Sequence, residues 1–155
     1  PLDVCLGLLA KTHRQHGRRL ERVVMSGERT VIATSEAPAA IGPYSQAIVV
    51  PSGRLVFCSG QIPLSPVTGQ LVGEDIATQT EQVMKNLEAV LRAAGCDFSH
   101  VARTTIFLAS LADFAVVNGI YGRYFPSAPP ARVTIQAAAL PRGALVEIDA
   151  IAVVP

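Results

Sequence analysis

The chain has 155 residues, half of them apolar, with no tryptophan and only 5% aromatic side chains, so one domain with an Ala/Val/Ile/Leu core is expected and general disorder is excluded. Its net charge of +1 hides an asymmetry, +3 over residues 1–24 and −2 over the remainder, which leaves the folded part without the surplus positive charge that holds a phosphate backbone. No apolar run reaches the roughly 18 residues of a membrane-spanning helix, so a soluble chain without a membrane or nucleic-acid partner is expected.

Residues 1–24, PLDVCLGLLAKTHRQHGRRLERVV, differ in character from the rest of the chain. The apolar stretch Val4–Ala10 is short and precedes its charges, the reverse of a secretory signal. Asp3, Glu21 and the lack of serine argue against a transit peptide. The segment reads as a basic, mobile N-terminal extension, with Met25 the start of a single domain spanning 25–155.

From there the elements alternate. RTVIAT, at 29–34, is a strand candidate, and APAAIGPYSQ, at 37–46, is a Pro/Gly-rich loop. SQAIVV and RLVFCSG flank PSG at 51–53, which predicts a hairpin. LSPVTGQLVG, at 64–73, is a loop. Next, Ile76, Thr80, Val83, Leu87, Val90 or Leu91, and Ala94 recur at helical spacing, with Asp75 or Thr78 to cap the start and Gly95 the end. VARTTIFLAS, at 101–110, is a strand. Ser110 and Asp113 resemble a capping box for a second helix carrying Phe114, Val117, Tyr121 and Tyr124 on one stripe, which FPSAPPA breaks.

Two strands close the chain. Read with period two, Arg132, Thr134 and Gln136 share one face of the first, and Val133, Ile135 and Ala137 the other. In the second, Val146, Ile148 and Ala150 oppose Glu147 and Asp149. A hairpin of these two would bring Arg132 near Glu147, and so would a subunit interface. The order β-β-β-α-β-α-β-β predicts an α+β fold, a sheet with two helices on one face.

The three cysteines, Cys5, Cys58 and Cys96, are odd in number and lack a CxxC pair, which points to a reducing, cytoplasmic setting. Cys58 reads as a small buried hydrophobe. His13 and His16 fall in the extension and His100 stands alone, so no metal site is expected.

GxSxG, GxxxxGK[ST], HExxH and GxGxxG are all missing. An enzyme built from this chain works with an arginine, a carboxylate, hydroxyls and backbone groups. Four places offer them: Tyr44 after a rigid Gly-Pro, Ser59-Gly60 at a strand end, Asn118 between Phe114 and Tyr121, and the terminal-strand residues Arg132 and Glu147. Each has a plainer reading. Tyr44 can cover the core edge, Ser59-Gly60 can be a bulge, and Asn118 can bridge helix to sheet. Arg132 and Glu147 can form a structural ion pair. An arginine opening an apolar strand needs a partner, either a protein acid or a group from outside.

Taken together, APAAIGPYSQA, CSGQIPLSPVTGQLVG, NLEAVLRAAGCDFSHVARTTIFLASLADFAVVNGIY and PARVTIQAAALPRGALVEIDAIAV resemble the RidA (YjgF) family of reactive intermediate deaminases, from about Thr30 to Val154. The resemblance implies a chorismate-mutase-like fold and a cytoplasmic homotrimer with sheets inside, helices outside and a pocket between adjacent subunits. It implies an enzyme, with neither cofactor nor metal, that hydrolyses 2-imino acids and enamines such as 2-iminobutanoate and 2-iminopropanoate to 2-keto acids and ammonia. It assigns catalysis to Glu147, Arg132 and Tyr44, and substrate binding to Arg132, Ser59, Gly60 and Asn118, with Thr134 lining the pocket. The guanidinium fork of Arg132 suits a substrate carboxylate, and Glu147 suits a water and its protons.

The chain departs from the family pattern twice. Thr134 stands where many relatives carry cysteine, which removes thiol-based regulation, and Pro130 stands where an aromatic residue is common, which alters pocket width. Other functions weighed are a non-catalytic carboxylate-binding or chaperone-like trimer, an endoribonuclease or translation inhibitor, and an aminomuconate-type deaminase. Arg132 with Glu147 counts against the first, and the charge and histidine content against the second.

Overall fold

A computed structural model describes residues 29–50 and 53–154, together with the backbone of 21–24. In chain order it contains β1 (Glu21–Val24), β2 (Thr30–Ala33), β3 (Ala47–Val49), β4 (Arg54–Gln61), α1 (Ile76–Ala93), β5 (Val101–Leu108), α2 (Phe114–Tyr124), β6 (Ala131–Gln136) and β7 (Val146–Val154). Short 3-10 turns fall at Phe98–His100, Leu111–Asp113 and Pro141–Gly143. Residues 1–20 of the expected extension, and Met25, lie outside the described residues. Its last four form β1, antiparallel to β2.

The strands make two sheets, β1-β2-β3 and β4-β7-β5-β6. The hairpin expected around 51–53 does not form. β3 pairs with β2 and β4 pairs with β7 instead. Turn residues announce a change of direction, but partner choice follows the apolar faces: β4 buries Cys58 opposite Ala150 against the main core.

In the four-stranded sheet the last strand is central. β7 runs antiparallel to both β4 and β5, while β6 lies parallel to β5 at the edge. A parallel neighbour needs a crossover, and α2 supplies it between β5 and β6. Consequently β6 and β7 do not pair, and the hairpin route to an Arg132–Glu147 contact is closed.

Both helices pack on one face. Val83, Met84, Leu87 and Leu91 of α1 and Val117 and Tyr121 of α2 meet Ile106, Leu108, Val146, Ile148, Ala150 and Ala152 in one core. Each of the larger aliphatic chains contributes roughly 1.5–3 kcal/mol by leaving water. Leu91 rather than Val90 is the buried alternative. The Asp75 carboxylate caps α1 by accepting from Thr78 N at 2.9 Å, and Gly95 follows its end at φ +80°. Ser110 caps the Leu111–Asp113 turn, accepting from Ala112 N, and α2 begins one turn later at Phe114.

The other face of the sheet is open, with Leu55, Phe57, Val133 and Ile135 exposed on it, Phe57 by 71%.

Candidate active site

Arg132 is placed by the β5–β6 ladder, where it stands beside Thr104. Thr104 is fully buried on the helix-covered face, so Arg132 also turns toward α2. There its NH1 donates to Asn118 Oδ1 at 2.7 Å. Three rings surround the guanidinium carbon, with centroids at 5.2 Å (Tyr121), 5.5 Å (Tyr44) and 5.7 Å (Phe114), within cation–π range. Burial pulls the guanidinium below its ordinary range, offset by the nearby phenols of Tyr121 and Tyr44. An arginine so placed is still a cation at any working pH.

Helical spacing explains the setting. Phe114, Asn118 and Tyr121 lie four and three residues apart, on one face of α2 above the edge strand. Tyr121 is fully buried, and its hydroxyl shares a hydrogen bond of 2.7 Å with Thr104 Oγ1. The pair fixes the ring on which the guanidinium rests. Sequence reasoning places Asn118 between Phe114 and Tyr121 but gives the two aromatics no part in the site. Their spacing of i+3 and i−4 from Asn118 is the signal that they flank the same spot. Thr134 shares this face of β6, and its Oγ1 is buried without a hydrogen-bond partner. Tyr44 arrives on the β2–β3 loop. The preceding Gly42 lies so close that a Cβ there would sit 3.4 Å from Asn118 Nδ2 and 3.7 Å from Arg132 NH2.

Ser59, Gly60 and Glu147 form a second group. The β4–β7 register shifts between Cys58 and Gln61, so Ser59-Gly60 is a bulge, in keeping with its plainer reading. A Cβ on Gly60 would lie 2.8 Å from Glu147 Cδ and 3.0 Å from its Cγ. The missing side chain is therefore what lets the glutamate lie over the strand. Glu147 stands beside Phe107 in the β5–β7 ladder and Asp149 beside Thr105, both on the open face. Asp149 is engaged there, accepting from Thr105 N at 2.9 Å.

The expected residues thus fall into two sets on opposite faces: Tyr44, Asn118, Arg132 and Thr134 toward the helices, and Ser59, Gly60 and Glu147 on the bulge and the open face. The structural ion pair between Arg132 and Glu147 does not form within the chain. Among the described residues no carboxylate lies within ion-pair distance of Arg132; the pairs present there are Arg123–Glu81 and His100–Asp97. His100 is taken up in a local cap, its Nδ1 2.9 Å from Asp97 Oδ1. Cys58 and Cys96 are free and buried, and burial pushes both thiols up. No described helix is long and apolar enough to cross a membrane.

Residues 34–154 match a family model described as Endoribonuclease L-PSP. Over 125 residues, the chain is 62% identical to Protein DfrA of Myxococcus xanthus, covering 81% of this chain and 95% of that one. It is 54% identical to the 2-iminobutanoate/2-iminopropanoate deaminase of mouse, covering 81% and 91%. Among solved structures, YyfA of Yersinia pestis, a member of the conserved Rid protein family, superposes with a TM-score of 0.63 at 50% identity, covering 81% of this chain and 99% of that one.

Proposed function

The chain belongs to the RidA/YjgF family, the Rid proteins of the endoribonuclease L-PSP model, and on that premise we infer that it is a hydrolase of C–N bonds. It converts reactive 2-imino acids and their enamine tautomers, such as 2-iminobutanoate and 2-iminopropanoate, to 2-keto acids and ammonia. Relatives at 54% and 50% identity over most of the chain bear the name of that activity.

One observation carries the site. Arg132 is a half-buried cation, tied to a neutral amide and ringed by aromatics, with no carboxylate against it among the described residues. A cation taken partly out of water is costly without a partner, and the carboxylate of an imino acid supplies one through two parallel hydrogen bonds. Tyr44 and Asn118 border that subsite. Thr134 Oγ1, lacking a partner, is a further hydroxyl for a polar substrate group.

The imine carbon is already electrophilic, so water adds to it without a covalent enzyme intermediate. Glu147 takes a proton from the attacking water and passes it to the nitrogen, giving a carbinolamine. It then carries the carbinolamine's hydroxyl proton to the same nitrogen as the C=O bond forms, the C–N bond breaks and ammonia leaves. The bulge at Ser59-Gly60 lies against the same carboxylate. Because Arg132 and Glu147 leave opposite faces of one sheet, a complete pocket takes them from two subunits. A closed homotrimer supplies such a junction, and its burial of the apolar open face around Phe57, Val133 and Ile135 favours it. Free, buried cysteines favour a reducing compartment, the cytoplasm.

The test generates 2-iminopropanoate and 2-iminobutanoate with an amino-acid oxidase, traps them with semicarbazide and follows the semicarbazone. Wild type suppresses the trapped product and Arg132→Ala does not. Equal trapping with and without wild type, for every imine tried, sinks the reading.

A further inference from the structure

The loop that carries Tyr44 has little apolar burial to hold it. Residues 35–41 are all exposed, and Ile41 stands 95% in solvent. Such a segment samples many conformations unless specific bonds restrain it. Among the restraints on it are polar bonds made by the two residues immediately after Tyr44.

Gln46 closes the loop on itself. Its Oε1 accepts from Thr34 N at 2.6 Å, while its Nε2 donates to Thr34 O at 3.1 Å and to Pro38 O at 2.7 Å. Only an amide offers an acceptor on one side and two donors on the other. Ser45, 6% exposed, ties the loop to the edge strand. Its N–H donates to Pro130 O at 3.0 Å and its Oγ to Pro129 O at 2.5 Å. Those prolines have no N–H to return, and Arg132 stands two residues beyond them. Ser45 therefore bridges the loop bearing Tyr44 to the strand bearing Arg132, across 84 residues of sequence.

We propose that Ser45 and Gln46 are positioning residues for imine hydrolysis, acting through Tyr44 by holding its ring 5.5 Å from the Arg132 guanidinium. The proposal rests on the deaminase reading above. Both side chains are spent on backbone groups of the loop and of the chain before β6. Each fixes the backbone on one side of the Tyr44 loop, and misplacement by about 1 Å of a group that borders a reacting molecule costs about 100-fold in rate.

A kinetic double-mutant cycle with Tyr44 tests this. Gln46→Ala and Ser45→Ala are each made alone and with Tyr44→Ala, with thermal melts to confirm folding. Gln46, the less buried of the two, keeps the cycle readable where Ser45→Ala fails to fold. Each single variant is expected to lose at least ~10-fold in kcat/KM, and less than ~2-fold once Tyr44 is already alanine. Gln46→Glu, which turns a carboxylate toward the carbonyls of Thr34, Ala37 and Pro38, should lose at least as much as Gln46→Ala. Losses that repeat in full in the Tyr44→Ala background overturn the proposal, because they show general support of the fold. So does an unimpaired Gln46→Ala. The same cycle is read by calorimetric binding of 2-oxobutanoate, which needs no catalysis. A protein that binds this keto acid but hydrolyses no imine sinks the deaminase reading while the cycle in Kd still decides the clamp. A protein that does neither sinks both.

Discussion

Arg132 and Glu147 leave the four-stranded sheet through opposite faces, since one stands beside Thr104 and the other beside Phe107, three residues further along β5. On the proposed reading, in which one pocket uses both, each comes from a different subunit, and defects on the two sides should complement. Arg132→Ala and Glu147→Ala are each expected to be inactive alone. Co-expressed in equal amounts, they should regain about a quarter of wild-type activity, the fraction of junctions that receive both intact residues by chance. A mixture as inactive as its parents places the two residues in separate functions.

Replacing Arg132 by lysine keeps the charge but loses the planar fork and the stacking on three rings. Arg132→Lys should reduce kcat/KM by about 30-fold, near 2 kcal/mol, the worth of one charged hydrogen bond. Steady-state kinetics on 2-iminopropanoate checks it.

Gly60→Ala should separate activity from stability. The added methyl would meet Glu147 2.8 Å from its Cδ, and the flexible glutamate can swing aside at small cost to the fold. Activity is expected to fall by about 100-fold, since the carboxylate is displaced by more than about 1 Å. The melting temperature should move by only a few degrees, about what 1 kcal/mol produces in a domain of this size. Parallel melts and trapping assays decide it.

How far the sequence went is clearest on the terminal strands. Period two alone grouped Arg132 with Thr134 and Glu147 with Asp149, each pair on one face of its own strand, because alternation is a local property of extended backbone. That the two faces are opposite sides of one sheet came only with the pairing of both strands to β5. Which strands neighbour each other is not local. Pro51–Gly53 signalled a hairpin, but β3 and β4 joined different sheets, and β7 took the central place that the sequence order gives no reason to expect. The caps of α1 were legible because Asp75 and Gly95 act within a turn of themselves. Ser110 was legible as a cap, but it serves the turn before α2. The Ser45 bridge to Pro129 and Pro130 could not be read, because the nearer partner already lies 84 residues away and both are carbonyls that any residue supplies.

The Thr104–Tyr121 hydrogen bond yields a stability test. Thr104→Val keeps the shape but leaves the fully buried Tyr121 hydroxyl without a partner, at a cost of about 1–3 kcal/mol in urea unfolding. Adding Tyr121→Phe removes the orphaned group and should restore most of the loss.

The same phenol should govern alkaline stability. Burial raises the Tyr121 pKa above its ordinary value of 10.0. The fold therefore favours the neutral form. The associated stability is full below about pH 10, where the unfolded chain is also neutral, and is lost as pH rises above it, by up to ~1.4 kcal/mol per pH unit. Tyr121→Phe should flatten that decline in unfolding curves between about pH 9 and pH 11. The residual slope belongs to groups such as Tyr124, whose pKa is raised by partial burial and by Glu81.

The crossover β5–α2–β6 has one more consequence. Between Val101 and Gln136, one uninterrupted stretch of chain supplies Thr104, Phe114, Asn118, Tyr121, Arg132 and Thr134, while Ser59, Gly60 and Glu147 lie wholly outside it. Apart from Tyr44, which the β2–β3 loop brings in, the cation-bearing half of the proposed pocket is thus a cassette. It can be recombined or tuned as a unit, and selectivity among carboxylates can diverge by changes within it while the acid-bearing half stays constant.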